Sequence, residues 1–288
     1  METTWSRCVR PPARTSKSLA RMFWRVRGVG SARPGTQFSP YCGCLHVDDS
    51  LVEHVAAPGG NLQLDFAARE LTIKLVYYGP ALSGKTTNLK ALHALLAVEG
   101  RGRLMTLDTK DDRTLFFDLL PLSVTSASGL TVRLKLLTVP GQVIHNATRR
   151  LVLSGADGVA FIADSQKSET RETAAAFVNL RQNLTEQGID PAAVPIVIQF
   201  NKRDLPAIRP DAEIDALAKR GKEPVFKAVA MRGEGVAETF LGLLQLTWAK
   251  LERENRLADK FQLRAGEVLE TLSKRLSQSG TADPGGSS

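Results

Sequence analysis

Gly79-Pro80-Ala81-Leu82-Ser83-Gly84-Lys85-Thr86 fits Gly-x4-Gly-Lys-Thr, and it stands between an apolar run, Leu71 to Tyr78, and a helical pattern, Thr87 to Ala97. A strand that turns through such a loop into a helix is the setting in which this string holds nucleotide phosphates. The two glycines let the backbone turn sharply, so several N–H groups converge on phosphate oxygens. The helix that follows adds the positive end of its dipole. Lys85 is placed to reach the outer phosphates and Thr86 to offer its hydroxyl to Mg²⁺. Gly79 through Thr87 are therefore the candidate phosphate-binding residues. The alternative, a glycine-containing turn with no ligand, leaves the strand–loop–helix order unexplained.

The loop calls for a nucleotide without naming its base. A second apolar run, Pro195 to Phe200, empties into Asn201-Lys202-Arg203-Asp204. An ionised Asp204 is acceptor-only, and it can take hydrogen bonds from guanine N1–H and the exocyclic amine. Adenine offers no such pair of donors on that edge, and a carboxylate left unpaired there is costly. Lys202 can lay its aliphatic stem along the base plane, and Asn201 can tie this loop to the first. Alone, the four residues would be a polar turn after a strand; behind a phosphate loop, in this order, they point to GTP. A kinase or ATPase reading would leave Asn201-Lys202-x-Asp204 without a purpose. Three weaker signals fall in sequence with these: Asp112-Arg113-Thr114, Thr138-Val139-Pro140-Gly141-Gln142, and Ala228-Val229-Ala230-Met231, where a backbone N–H near Ala230 or Met231 could read the guanine carbonyl.

Apolar runs and helical patterns alternate from Leu71 onward. Strands are expected at 71–78, 114–121, 130–138, 157–163, 195–200 and 225–230, and helices at 86–97, 145–153, 169–187, 211–219 and 235–256. Several strands are apolar throughout, as when helices cover both faces. This predicts a three-layer α/β fold around a mostly parallel six-stranded sheet. The 114–121 and 130–138 pair is close enough for an antiparallel hairpin, and the nucleotide belongs at the carboxyl ends of the strands. Phe261, Ala265, Val268, Leu272 and Leu276 continue a helical stripe, expected over 257–278, either packed on the domain or free to dock a partner. Residues 279–288 are expected to be a disordered tail.

With these residues in place, the chain resembles a Ras-like small GTPase, and more narrowly the bacterial MglA family of polarity GTPases. The resemblance is carried by Leu75 to Pro80, Gly84 to Leu89, Asp112-Arg113-Thr114-Leu115-Phe116-Phe117-Asp118, Thr138 to Gln142, Val159 to Gln166, Gln199 to Pro206 and Ala228 to Val236. It runs from about Leu64 to about Leu251. Phe-Phe-Asp after the arginine, and Val-Pro-Gly-Gln in place of Asp-x-x-Gly-Gln, are the more specific parts. The resemblance implies that Gln142 orients the attacking water, that Arg113 is an arginine finger supplied in cis (the alternative being a surface pair with Asp111 or Asp112), that Thr114 joins Thr86 on Mg²⁺ and senses the γ-phosphate, and that Gly141 is among the nucleotide-binding residues. It also implies a roadblock-type (MglB-like) activating partner and a role in polarity or motility. Two departures from Ras-like proteins bear on catalysis. Thr138 stands where an aspartate usually follows the third strand, a change shared by the resembled family, and Ala81 puts a methyl group where many carry glycine. Beside the switch that hydrolyses GTP slowly, these leave a second reading: a GTP-binding scaffold with negligible hydrolysis.

Net charge is +8, half of it in residues 1–60. No basic stripe with interleaved aromatics accompanies it, so no nucleic-acid partner is expected. Residues 1–62 lack helical or strand period and are expected to be a disordered basic extension or an upstream gene start. All three cysteines, Cys8, Cys42 and Cys44, lie in that segment, which suits a cytoplasmic protein without a disulfide scaffold. Cys42-Gly43-Cys44 lacks the further ligands a metal site needs. No apolar run is long enough to span a bilayer, and neither end fits a lipidation motif. The core is expected to be monomeric.

Overall fold

In the computed structural model, residues 63–65, 67–96, 101–107, 117–142 and 145–278 are described. Their centre is one mixed sheet. Strands β1 (Gln63–Asp65), β2 (Glu70–Tyr78), β3 (Met105–Leu107), β4 (Phe117–Thr125), β5 (Thr131–Thr138), β6 (Gly158–Asp164), β7 (Ile196–Asn201) and β8 (Val225–Lys227) line up in the order β3-β4-β5-β2-β6-β7-β8. The run β5-β2-β6-β7-β8 is parallel, while β3-β4-β5 is antiparallel. β1 pairs antiparallel with the first residues of β2, Glu70 to Thr72, below the point where β6 begins to pair at Leu75.

The α/β class and mostly parallel sheet match the sequence pattern, and two three-residue strands, β1 and β3, join the six expected. The hairpin forms, but β4 runs on to Thr125 and turns at Ser126–Gly129. There the Ser126 N–H donates to Leu130 O and Gly129 N–H to Ser126 O, each at 2.9 Å. β8 is shorter than expected, because the chain turns at Ala230–Arg232 into a 3₁₀ helix.

Continuous apolar strands pack on both faces, and residue parity decides which. Leu71, Ile73, Leu75 and Tyr77 of β2 enter one cluster with Leu134, Leu136, Ala160 and Ile162. Val76 and Tyr78 enter the other, with Leu137, Val159, Phe161 and Ala163. The first face is covered by α1 (Lys85–Leu95), α5 (Val236–Asn255), α6 (Leu257–Phe261) and α7 (Ala265–Gln278). The second is covered by α2 (Asn146–Leu153), α3 (Thr170–Glu186) and α4 (Asp211–Arg220). On α7, Val268, Leu272 and Leu276 recur every four residues and are buried in the first cluster. The Arg275 guanidinium donates to the Ser123 carbonyl of β4 at 2.7 Å, so this helix is tied to the antiparallel edge. Residues 1–62 and 279–288 lie outside the described residues. Among those described, no helix is long and apolar enough to cross a membrane.

Candidate functional site

At the carboxyl end of β2 the chain cannot continue straight. A Cβ on Gly79 would stand 2.3 Å from the Ile162 carbonyl of β6, so only glycine lets the loop start here. Gly84 closes the loop at φ 97°, the left-handed region, and a Cβ there would meet Asn201 Nδ2 at 2.2 Å. Helix α1 begins at Lys85. The first-turn N–H groups of a helix have no partner within it, which leaves them to face a ligand. Lys85 folds back under the loop, its Nζ donating to Pro80 O at 2.6 Å and Gly79 O at 3.1 Å. Burial, and then the charge of Arg149, push this ammonium down to about 7, against the pull of Asp118. A phosphate oxygen arriving beside it would reverse that by supplying negative charge.

Three adjoining cavities surround the loop, and Leu82 lines all of them. One, of about 530 Å³, is walled by Gly84, Lys85, Thr86, Thr87, Asp118, Thr138, Gly141 and Gln142, among others. A second, of about 250 Å³, is walled by Thr87, Asn201, Lys202, Asp204, Ala230 and Met231. A third, of about 590 Å³, joins Pro80, Ala81 and Gln142 to Arg149 and α3. The fold thus brings the two halves expected from the sequence, phosphate loop and Asn201-Lys202-x-Asp204, onto one rim.

Asn201 is the joint between them. Its Nδ2 donates to the Ser83 carbonyl at 2.9 Å, and its Oδ1 accepts the Ala230 N–H at 2.9 Å. That N–H is therefore committed, which leaves Met231 as the candidate to read a base carbonyl. Lys202 has φ 63° and extends to Asp164, Nζ to Oδ2 2.6 Å. Beneath the same loop, Gln199 Nε2 donates to Asn88 Oδ1 and Thr239 Oγ1, each at 2.9 Å, locking β7 to α1 and α5. Asp204 is exposed, accepts no hydrogen bond from the described residues, and lines the second cavity.

One residue at the site that sequence reasoning passed over is Asp118. The register that pairs Leu119 with Leu137 brings Asp118 opposite Thr138. Its carboxylate is 4% exposed and accepts three hydroxyls: Thr86 Oγ1 at 2.5 Å, Thr106 Oγ1 at 2.8 Å and Thr138 Oγ1 at 3.0 Å. Its N–H donates to Thr138 Oγ1 at 2.8 Å. A carboxylate thus reaches the Thr86 hydroxyl from β4, although Thr138 at the end of β5 is no acid. The signal was the one charged residue in the strand Phe117–Thr125. Thr86 and Asp118 form an all-oxygen donor set, which fits Mg²⁺, an ion that keeps several waters and takes few protein ligands beside phosphates. A hydroxyl that ligates a cation through a lone pair can still donate its proton to Asp118. Among the described residues no group of three or more His, Cys, Asp or Glu side chains gathers to hold a metal. Arg113 and Thr114 lie outside the described residues.

A comparison with protein-family models found none that matches. The mutual gliding-motility protein MglA of Myxococcus xanthus (strain DK1622) is 44% identical over 190 residues, spanning 66% of this chain and 97% of that relative. With the Ras-like sheet order and the nucleotide loops in place, identity over nearly the whole of that relative shows that the chain belongs to the MglA family of small GTPases.

Proposed function

We propose that the protein binds GTP and GDP with Mg²⁺, hydrolyses GTP slowly to GDP and phosphate, and alternates between two states read by partner proteins. The observation that carries this is the Asn201 bridge: one side chain holds the phosphate loop at Ser83 and the base loop at Ala230, leaving Asp204 unpaired over the cavity between them. In this reading Asp204 takes guanine N1–H and the exocyclic amine, Met231 N–H donates to the base carbonyl, and the stem of Lys202 covers the ring. The loop N–H groups from Ala81 to Thr87, with Lys85, hold the phosphates.

Thr86 and Asp118, joined by Thr114, would hold Mg²⁺, which offsets charge on the β- and γ-phosphates. Gln142 holds a water in line with the γ-phosphorus. The water oxygen bonds to phosphorus and gives up one proton to a γ-phosphate oxygen while the bond to the β–γ bridging oxygen breaks, its electron pair staying on GDP, and GDP and dihydrogen phosphate leave. Arg113 stabilises the charge that develops in that step, so the reaction rests on positioning and electrostatics. Loss of the γ-phosphate contacts of Thr114 and Gly141 then relaxes both segments. The relative's name supports a role in motility or polarity; a cytoplasmic location and a roadblock-type activating partner are part of the same proposal and follow from the family resemblance alone.

Base selectivity tests the binding half of this reading. Calorimetric titration of nucleotide-free protein in Mg²⁺ should give GTP and GDP affinities at least about 100-fold above those for ATP and ADP. Equal affinities would overturn it.

A further inference from the structure

We infer that Arg149 is a positioning residue for GTP hydrolysis: from the buried side of α2 it holds the backbone carbonyls of Pro140 and Gly141, and so fixes where Gln142 stands. The inference rests on the proposed hydrolysis and goes beyond it, because Arg149 acts through the Pro140 and Gly141 carbonyls.

Arg149 is 1% exposed, and no carboxylate pairs with it among the described residues. Its Nε donates to Pro140 O at 2.8 Å, one terminal nitrogen donates to Gly141 O, and the other to Asn179 Oδ1 at 2.7 Å. The Tyr78 ring lies 5.4 Å from the guanidinium carbon. A buried cation met only by neutral acceptors and a ring is a costly way to fill space, and an apolar side chain of similar length would pack there with less desolvation. What an apolar side chain cannot supply is a planar fork of donors matched to two successive carbonyls. Lysine, with one ammonium, cannot reproduce it.

The loop is gripped from two sides. On the far side of Gly141 lies the phosphate loop: a Cβ on Gly141 would stand 2.4 Å from Ala81 Cα. Gly141 is therefore pressed between Ala81 and the Arg149 fork, and Gln142 is the next residue. Arg149 is itself held by α3, where Asn179 Oδ1 also accepts the Tyr78 hydroxyl at 2.6 Å. The rotamer is thus fixed by β2 and α3, two elements that do not belong to the loop.

The test compares Arg149→Met, Arg149→Lys, Gln142→Leu and the double variant Arg149→Met/Gln142→Leu in the full chain. Single-turnover phosphate release, GDP affinity and hydrogen exchange of the Gly141 and Gln142 amides are measured on each. Arg149→Met should hold GDP within about threefold of wild type but release phosphate about 10- to 100-fold more slowly. Its Gly141 and Gln142 amides should exchange at least about tenfold faster. The double variant should be no slower than Gln142→Leu, because the two residues act as a unit. Arg149→Lys should fall between wild type and Arg149→Met. Wild-type release from Arg149→Met, or a double variant slowed by the product of the single effects, would overturn the inference. If Arg149→Met does not fold, Arg149→Lys decides: wild-type release and exchange from it would overturn the inference equally. If wild type itself releases no phosphate, hydrolysis fails as a reading, and the exchange rates alone judge whether Arg149 fixes the loop.

Discussion

Asp204→Asn is expected to weaken GTP binding by about 100-fold or more and to let xanthosine triphosphate bind in its place. Guanine offers two donors side by side, N1–H and the exocyclic amine, and an ionised carboxylate accepts both with charge-assisted bonds. The side-chain amide of asparagine accepts one and turns its own N–H₂ toward the other, leaving two donors opposed. Xanthine replaces the exocyclic amine with a carbonyl, so the same amide meets one donor and one acceptor. Asp204 accepts nothing from the described residues, and Asn201 rather than Asp204 holds the loop. The substitution should therefore leave the fold intact. Fluorescence competition with GTP, XTP and ATP checks it; undiminished GTP affinity would show that the base does not lie on Asp204.

Asp118→Ala carries the second large effect, in the metal dependence of binding. In wild type, chelating Mg²⁺ should speed GDP release strongly, because Thr86 and Asp118 join protein and phosphates through the ion. Removing the carboxylate should lower Mg²⁺ affinity by about 10- to 100-fold, the size of effect expected when a partner orienting a ligand is lost. Chelator should then change GDP release little. The three hydroxyls on Asp118 would lose their acceptor as well. GDP release measured across a Mg²⁺ titration separates the effects: a shifted midpoint marks the metal, a uniform change marks general damage. An unshifted midpoint would remove Asp118 from the metal site.

These two residues were unequally legible. Asp204 follows an apolar strand in a four-residue pattern whose chemistry can be written from the sequence. Asp118 depends on register, because only the pairing of Leu119 with Leu137 puts it on Thr138 and within reach of Thr86. A sequence shows that a hairpin can form, but the turn at Ser126–Gly129 sets which residues meet. Arg149 was hidden for a different reason. It sits beside Arg150 in Asn146–Leu153, and charge gives no sign of which one turns inward; helical phase does, since Val152 and Leu153 mark the buried side three and four residues on. The strands β2, β6 and β7 were legible because burial on both faces demands mostly apolar runs. β1 and β3 were not, since three residues are too few to show a period. Helix α7 announced itself by spacing, whereas its contact with β4 through Arg275 and Ser123 is a matter of tertiary placement.

Single-turnover phosphate release from GTP by the full chain with Mg²⁺, beside Gln142→Leu, tests the central claim most directly. Bound nucleotide should be quantified in the same samples. The account predicts one phosphate per bound GTP, released on the order of 10⁻⁴ to 10⁻² per second, and at least about tenfold more slowly from Gln142→Leu at unchanged GTP occupancy. Full GTP occupancy with no phosphate released, or a Gln142→Leu variant as fast as wild type, would contradict it.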